Sequence, residues 1–164
     1  MLKQFTAKDK YLVGVISDTH GRLPQSVLGV FQDTDLIIHA GDIGKQGLLE
    51  SLGKIAPTIG VRGNMDMDPW ARHLPAQETV KVGKVMLRVI HDDYKIELSP
   101  HSNTYQIVIS GHTHRPLVKK QPQVLFLNPG SAVQPRYGYP ASVALLRIKG
   151  KSVEAQLIEL KESG

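Results

Sequence analysis

Residues 11–20 read Tyr11-Leu12-Val13-Gly14-Val15-Ile16-Ser17-Asp18-Thr19-His20, a continuous apolar run that breaks abruptly into polar residues. A strand apolar on both of its faces belongs to a sheet covered on both sides, the pattern of parallel strands in α/β folds. Outward from it, apolar runs at 36–40 and 58–61 alternate with segments at 25–31 and 46–55 that can be helical. This order predicts a βαβαβ start. Pro24 suits the first turn of the first helix, and Gly53 with Pro57 suits the end of the second.

The later half has a different rhythm. Residues 78–82 and 84–90 flank Gly83, 106–110 form another apolar strand, 117–120 face 124–127 across Pro122, and 142–148 face 152–160 across Lys149-Gly150. Short strands separated by such turns predict hairpins, so pairing is expected to become antiparallel here. The inferred fold class is α/β, a two-sheet β-sandwich flanked by helices. One domain is expected over residues 10–160, with 1–9 a flexible tail or at best an edge strand.

Composition narrows the chemistry. The 164 residues include no cysteine, which excludes disulfides, zinc–thiolate sites, iron–sulfur clusters and thiol nucleophiles, so any metal must be held by nitrogen and oxygen. The apolar run at 11–17 is too short to span a bilayer and carries no cleavage pattern, so neither membrane nor signal peptide is expected. A cytoplasmic location is the expectation, compatible with a chain free of cysteine. The net charge of +5 comes from scattered lysines and hints only weakly at anionic partners.

The informative pattern is positional. Asp18, Asp42, Asn64, His91 and His112 each follow a different expected strand, and ligands of open α/β sheets gather beyond the carboxyl ends of strands. Two ends repeat the theme at alternate positions, Asp18-Thr19-His20 and His112-Thr113-His114, and extended backbone returns to one face every second residue. Gly41 and Gly111 stand directly before Asp42 and His112, where a missing side chain admits a sharp turn beside an ion. The seven candidates Asp18, His20, Asp42, Asn64, His91, His112 and His114 exceed what one small cation takes from protein. They suit two divalent ions about 3.5–4 Å apart with Asp42 as the bridging carboxylate. Two dications against two carboxylates leave the site net positive, a charge balance that favours a phosphodiester anion.

Asp18-Thr19-His20, Gly41-Asp42, Gly63-Asn64, His91 and Gly111-His112-Thr113-His114 together resemble the signature of the calcineurin-like metallophosphoesterase superfamily. With Ile38-His39-Ala40-Gly41-Asp42 and Asn128-Pro129-Gly130-Ser131, the chain resembles in particular the small YfcE-like phosphodiesterases, over roughly residues 10–160. The resemblance implies a four-layer αββα fold and metal-dependent hydrolysis of phosphodiesters by a hydroxide bridging two ions. Asp18, His20, Asp42 and His114 would hold one ion, and Asp42, Asn64, His91 and His112 the other. Manganese is the implied metal, with nickel, zinc, iron and magnesium as alternatives. Asn64, Asn128 and Ser131 are implied near substrate, and Asp66 is carried as the candidate catalytic side chain.

Two departures bear on specificity. Asn64-Met65-Asp66 lacks the His that larger relatives place after the Asn as a leaving-group acid, so good leaving groups should react far better than alkoxides. Asp92-Asp93 follow His91, where Gly is common, and two carboxylates there would repel dianionic monoesters more than monoanionic diesters. The expected partner is a phosphodiester-containing small molecule. A nucleic acid fits the basic pI but not the lack of clustered basic and aromatic residues. A phosphomonoesterase with the same site is the nearest alternative, and a scaffold of the same fold, as in a retromer subunit, is the rival outside enzymes. A homo-oligomer stays open. His39 is expected to be structural, His73 and His101 to lie at the surface, Trp70 to pack or to stack on substrate, and Arg22 and Arg115 to reach phosphate or solvent.

Overall fold

The fold was obtained as a computed structural model and describes residues 2–93 and 105–161. In chain order the elements are β1 (Lys3–Phe5), β2 (Lys10–Ile16), α1 (Gln25–Phe31), β3 (Leu36–His39), α2 (Gln46–Gly53), β4 (Thr58–Gly60) and a 3-10 turn at Pro69–His73. The second half supplies β5 (Gln77–Val82), β6 (Val85–Ile90), β7 (Ile107–Ile109), β8 (Leu117–Lys120), β9 (Leu125–Asn128), β10 (Ser142–Lys149) and β11 (Ser152–Glu159). One sheet runs β11-β10-β2-β3-β4, the other β1-β5-β6-β7-β9-β8.

The two sheets stack with alternate residues between them. Val13, Val15, Leu36 and Ile38 of the five-stranded sheet meet Val80, Leu87, Ile107, Ile109 and Leu127 of the six-stranded one. Each such side chain contributes about 1.5–3 kcal/mol when fully buried. The intervening residues Ile16 and Ile37 face the other way and meet Val27 and Phe31 of α1 and Leu48 and Leu52 of α2. This explains the unbroken burial of β3, whereas β5 and β6 alternate between buried and half-buried positions. Gly14 sits directly under α1, and a Cβ there would come within 2.9 Å of the Phe31 ring.

The structure resolves one expectation into its second form, an edge strand, and adjusts another. The segment 1–9, read as a flexible tail or at best an edge strand, contains β1, which pairs in parallel with β5 through Lys3↔Val80 to Phe5↔Val82. The three hairpins of the later half are antiparallel as expected, but β6, β7 and β9 are mutually parallel. The runs at 85–90, 107–109 and 125–128 are neighbours in the sheet but are joined by long connections instead of tight turns, so hairpin residues say nothing about their pairing. The consequence is that β2, β3 and β4 in one sheet and β6, β7 and β9 in the other present parallel carboxyl ends. His101 lies outside the described residues. Among the described residues, no helix is long and apolar enough to cross a membrane.

Candidate metal centre

The loops leaving those six strand ends interlock across the two sheets. The Asp18 amide donates to the Gly41 carbonyl and the His20 amide to the Asp42 carbonyl, both at 3.0 Å. The His112 amide donates to Asp18 Oδ2 at 3.1 Å, and the Ser131 hydroxyl to the Asp18 carbonyl at 2.8 Å. His91 Nδ1 lies 2.8 Å from the Ala40 carbonyl. All seven residues singled out from the sequence therefore border one crevice, and they come from both halves of the chain.

Backbone conformation marks the same residues. Among the described residues, non-glycine side chains at positive φ occur at Asp18, His20, Asp42, His112, His114 and Tyr137, with φ between 46° and 72°. This left-handed region is uncommon for such residues, and strained backbone clusters where a ligand geometry must be held. The preceding Gly41 and Gly111 have no room for a side chain. A Cβ on Gly41 would lie 2.5 Å from His91 Nδ1, and one on Gly111 would lie 2.0 Å from Ser17 Oγ.

The imidazoles are oriented by what their Nδ1 atoms reach. His91 donates Nδ1–H to the Ala40 carbonyl, and His114 donates Nδ1–H to the Gln134 carbonyl, which leaves each Nε2 facing the crevice. His91 Nε2 then stands 3.0 Å from Asn64 Oδ1 and 3.3 Å from Asp42 Oδ2. His114 Nε2 stands 3.3 Å from Asp18 Oδ1. In each place a neutral ring would point a lone pair at oxygen lone pairs, so a proton or a cation must stand between them.

Acid–base behaviour follows. Burial pulls the His91 imidazole down, but the Asp42 and Asp18 carboxylates outweigh it and hold it above its ordinary value. The Asp18 carboxylate likewise raises His114, against the opposing effect of burial. Burial pushes Asp42 up, but the hydrogen bond from His91 and the Met65 amide more than offset it, so its carboxyl lies below the usual range. Metal binding at such a site releases protons.

Two atoms are left over. Asp18 Oδ1 and His20 Nε2 are buried and have no hydrogen-bond partner among the described residues. Unsatisfied buried polar atoms cost about 1–3 kcal/mol each. A hard or borderline cation would satisfy both, and the all-nitrogen-and-oxygen donor set fits one. Ligand atoms within 4.8 Å of one another form two groups, Asp18 with His20 and His114, and Asp18 with Asp42 and His91. Asp18 is common to both groups, whereas Asp42 belongs to one. Asn64 Oδ1 adds to the second side, 3.2 Å from His112 Nδ1.

The remaining sequence candidates take other places. Asp66 is 4 % exposed, and its carboxylate accepts from the amides of Ile43, Gly44 and Gly63 at 2.9–3.2 Å. It thereby ties the Asp42 loop to the Asn64 loop. Asn128 donates to the Gly111 carbonyl and to Thr113 Oγ1 while its own Oδ1 accepts from the Gly130 amide. Ser131 is fully buried, and its oxygen also accepts from the amides of Val133 and Gln134. These three side chains brace the loops that carry the candidate ligands. Asp92 lies 4.0 Å from His112 Nε2.

His39 is structural and wholly buried. Its Nδ1 accepts from the Gly41 amide, so the proton sits on Nε2 and is donated to Thr19 Oγ1, which donates in turn to the Ile43 carbonyl. Burial pushes its imidazole down to about 3. His73 and Arg22 are exposed, Arg115 lies over the Tyr137 ring, and Trp70 packs against the helix-side core. Sequence reading passed over Thr19 and Ser17, whose hydroxyl donates to Asp18 Oδ2 at 2.7 Å. Polar residues at the end of an otherwise apolar strand were the available signal.

Comparison with known proteins agrees with this geometry. The family model for the calcineurin-like phosphoesterase superfamily domain matches residues 11–151. The chain is 37% identical over 164 residues to the probable metallophosphoesterase MJ0623 of Methanocaldococcus jannaschii, covering 92% of this chain and 82% of that one. It is 30% identical over 154 residues to phosphodiesterase YfcE of Escherichia coli, covering 79% and 84%. Vps29 of Chaetomium thermophilum superposes with a TM-score of 0.73 at 17% identity, over 93% of this chain and 99% of that one, a likeness of fold. With the family model spanning most of the chain and a relative this similar, the chain belongs to the calcineurin-like phosphoesterase superfamily.

Proposed function

We propose that the protein is a metal-dependent phosphodiesterase with a dinuclear centre. The observation that carries this reading is the pair of places where imidazole Nε2 atoms face carboxylate or amide oxygens across the crevice, each calling for a positive charge. Asp18, His20 and His114 would hold one divalent ion, and Asn64, His91 and His112 the other, with Asp42 and Asp18 between them. Bound ions of this kind supply a water of lowered pKa as nucleophile and neutralise the phosphoryl oxygens.

The chain's own residues supply position and charge. The Ala40 and Gln134 carbonyls hold His91 and His114 in the tautomer that turns Nε2 inward. Asn64 keeps one ligand neutral where a carboxylate could stand, which leaves the site cationic enough for a phosphate monoanion. Asp92, close to His112, opposes the second negative charge of a monoester. Since Asp66 is committed to three amides, it is not free to protonate a leaving group, and rates should depend steeply on leaving-group pKa.

The test is hydrolysis of bis(p-nitrophenyl) phosphate and of p-nitrophenyl phosphate by chelator-stripped protein, with and without Mn²⁺. Metal-dependent cleavage with the diester preferred is the expected result. Preference for the monoester would replace the reading with a phosphomonoesterase. Failure to take up any divalent ion would end the catalytic reading in favour of a scaffold.

A further inference from the structure

The metal centre does not account for the cavity beside it. On the six-stranded sheet's side of the His112–His114 loop, a cavity of about 440 Å³ is lined by Thr113, Leu117, Phe126, Tyr139, Arg115 and Asp93. Thr113 stands between two of the candidate ligand residues and Asp93 two positions after a third, so the cavity adjoins the loops that carry them. Its volume falls in the range of small-molecule sites, and its walls combine an aliphatic side chain with two aromatic rings.

The rim is organised as well. The Arg115 guanidinium lies over the Tyr137 ring, 4.0 Å from its centroid. Tyr137 is the one positive-φ side chain among the described non-glycine residues that is not a candidate ligand. Its loop is fastened to the centre through the Gln134 carbonyl on His114 Nδ1 and the Gln134 amide on Ser131 Oγ. Arg115, directly after His114, is thus held rather than left to swing. A stacked guanidinium loses little further freedom when it takes up an anion.

We propose that this cavity seats an uncharged aromatic ester group of the phosphodiester, with Arg115 at the rim drawing in the phosphate monoanion. The inference rests on the phosphodiesterase reading above and names the substrate class within it: diesters carrying at least one aryl- or nucleobase-sized group. Asp93 on the lining disfavours an anionic group, and Leu117, Phe126 and Tyr139 offer faces that a methyl or glyceryl group would leave uncovered. Removing the aromatic group should cost roughly tenfold in kcat/KM, a contact equivalent to partial burial of one ring.

Two measurements test it. The first compares bis(p-nitrophenyl) phosphate with methyl p-nitrophenyl phosphate, which shares the leaving group and lacks the second ring. The wild type should favour the former, and Leu117→Trp, placed on an exposed position of β8, should collapse that ratio about tenfold, while Arg115→Gln should raise KM for both diesters. The second titrates the zinc-loaded, diamagnetic protein with unreactive diphenyl phosphate and with dimethyl phosphate by amide NMR. Diphenyl phosphate should shift Thr113, Leu117, Phe126 and Tyr139, and dimethyl phosphate should not.

An unchanged ratio in a folded Leu117→Trp protein, or shifts elsewhere, overturns the assignment. Should Leu117→Trp fail to fold, the wild-type titration decides alone. Diester hydrolysis without ring shifts at the cavity rejects this inference and spares the phosphodiesterase reading. Shifts at the cavity without hydrolysis of either diester reject the phosphodiesterase reading and leave the cavity as an aryl phosphate site.

Discussion

The two sides of the crevice differ in how their polar atoms are left. On the inner side Asp18 and His114 are almost wholly buried, and among the described residues Asp18 Oδ1 and His20 Nε2 have no hydrogen-bond partner, Asp18 Oδ1 facing His114 Nε2 at 3.3 Å. On the outer side Asn64 is exposed and the His112 side chain is 41% exposed, while Asn64 Oδ1 engages both His91 and His112. The contrast teaches which side depends more on an ion. Both sides call for a positive charge, but the inner side adds buried atoms without a hydrogen-bond partner, whereas on the outer side Asn64 and His112 also reach water. Tight binding is therefore expected inside, and exchange outside.

The change that breaks the comparison most severely is Asp18→Asn, because Asp18 is shared by both groups of ligand atoms. It should abolish binding of both equivalents of metal in calorimetric titration and reduce diester hydrolysis on the order of 10³-fold, the scale of several kcal/mol of charge stabilisation. Retention of two equivalents would show that Asp42 alone joins the two sides.

A sharper division comes from His112→Ala. One equivalent of metal should be lost and the other kept at near wild-type affinity, whereas His20→Ala should weaken the tighter equivalent first. Stepwise competition with a chelator reads this directly. Equal weakening of both equivalents by His112→Ala would erase the distinction between the sides.

The smallest effect concerns His39, which ties the Asp18 loop to the Asp42 loop as a neutral ring. Its folded value of about 3 lies below the ordinary 6.5, so the unfolded chain binds a proton that the folded one refuses. Stability of the metal-free protein should fall as pH drops from 6.5, by up to ~1.4 kcal/mol per pH unit from this group. His91 and His114 act in the opposite sense: their raised values contribute stability that is fully present below 6.5 and is lost only at higher pH. Asp42, lowered, loses its contribution only below about its ordinary 3.8. The unfolding free energy from urea melts should therefore fall more steeply between pH 6.5 and 4.5 for wild type than for His39→Asn, and equal pH slopes would remove His39 from the account.

Legibility in the sequence followed the range of the interaction. The candidate ligand residues were visible because they follow the ends of apolar runs, and the helix-covered sheet was visible because its strands are apolar on both faces. The sequence points to Asp66 as a catalytic side chain and to Asn128 and Ser131 as near substrate, whereas in the structure their polar atoms meet backbone groups of neighbouring loops. A sequence motif records that a polar residue is present and not which backbone amides it turns to meet. The parallel centre of the six-stranded sheet escaped for a similar reason, since β6, β7 and β9 pair across intervening segments.

By itself the sequence determined the residue types, the strand ends that carry them and the alternation that assigns each strand to an inner or outer face, because these depend on the two-residue period of extended chain. Only the tertiary structure decided that the carboxyl ends of both sheets meet at one crevice, which imidazole nitrogen faces inward, and which buried atoms go without a partner. Those depend on contacts such as His112 to Asp18 and Ser131 to Asp18, 94 and 113 residues apart in the chain, which no local pattern can encode.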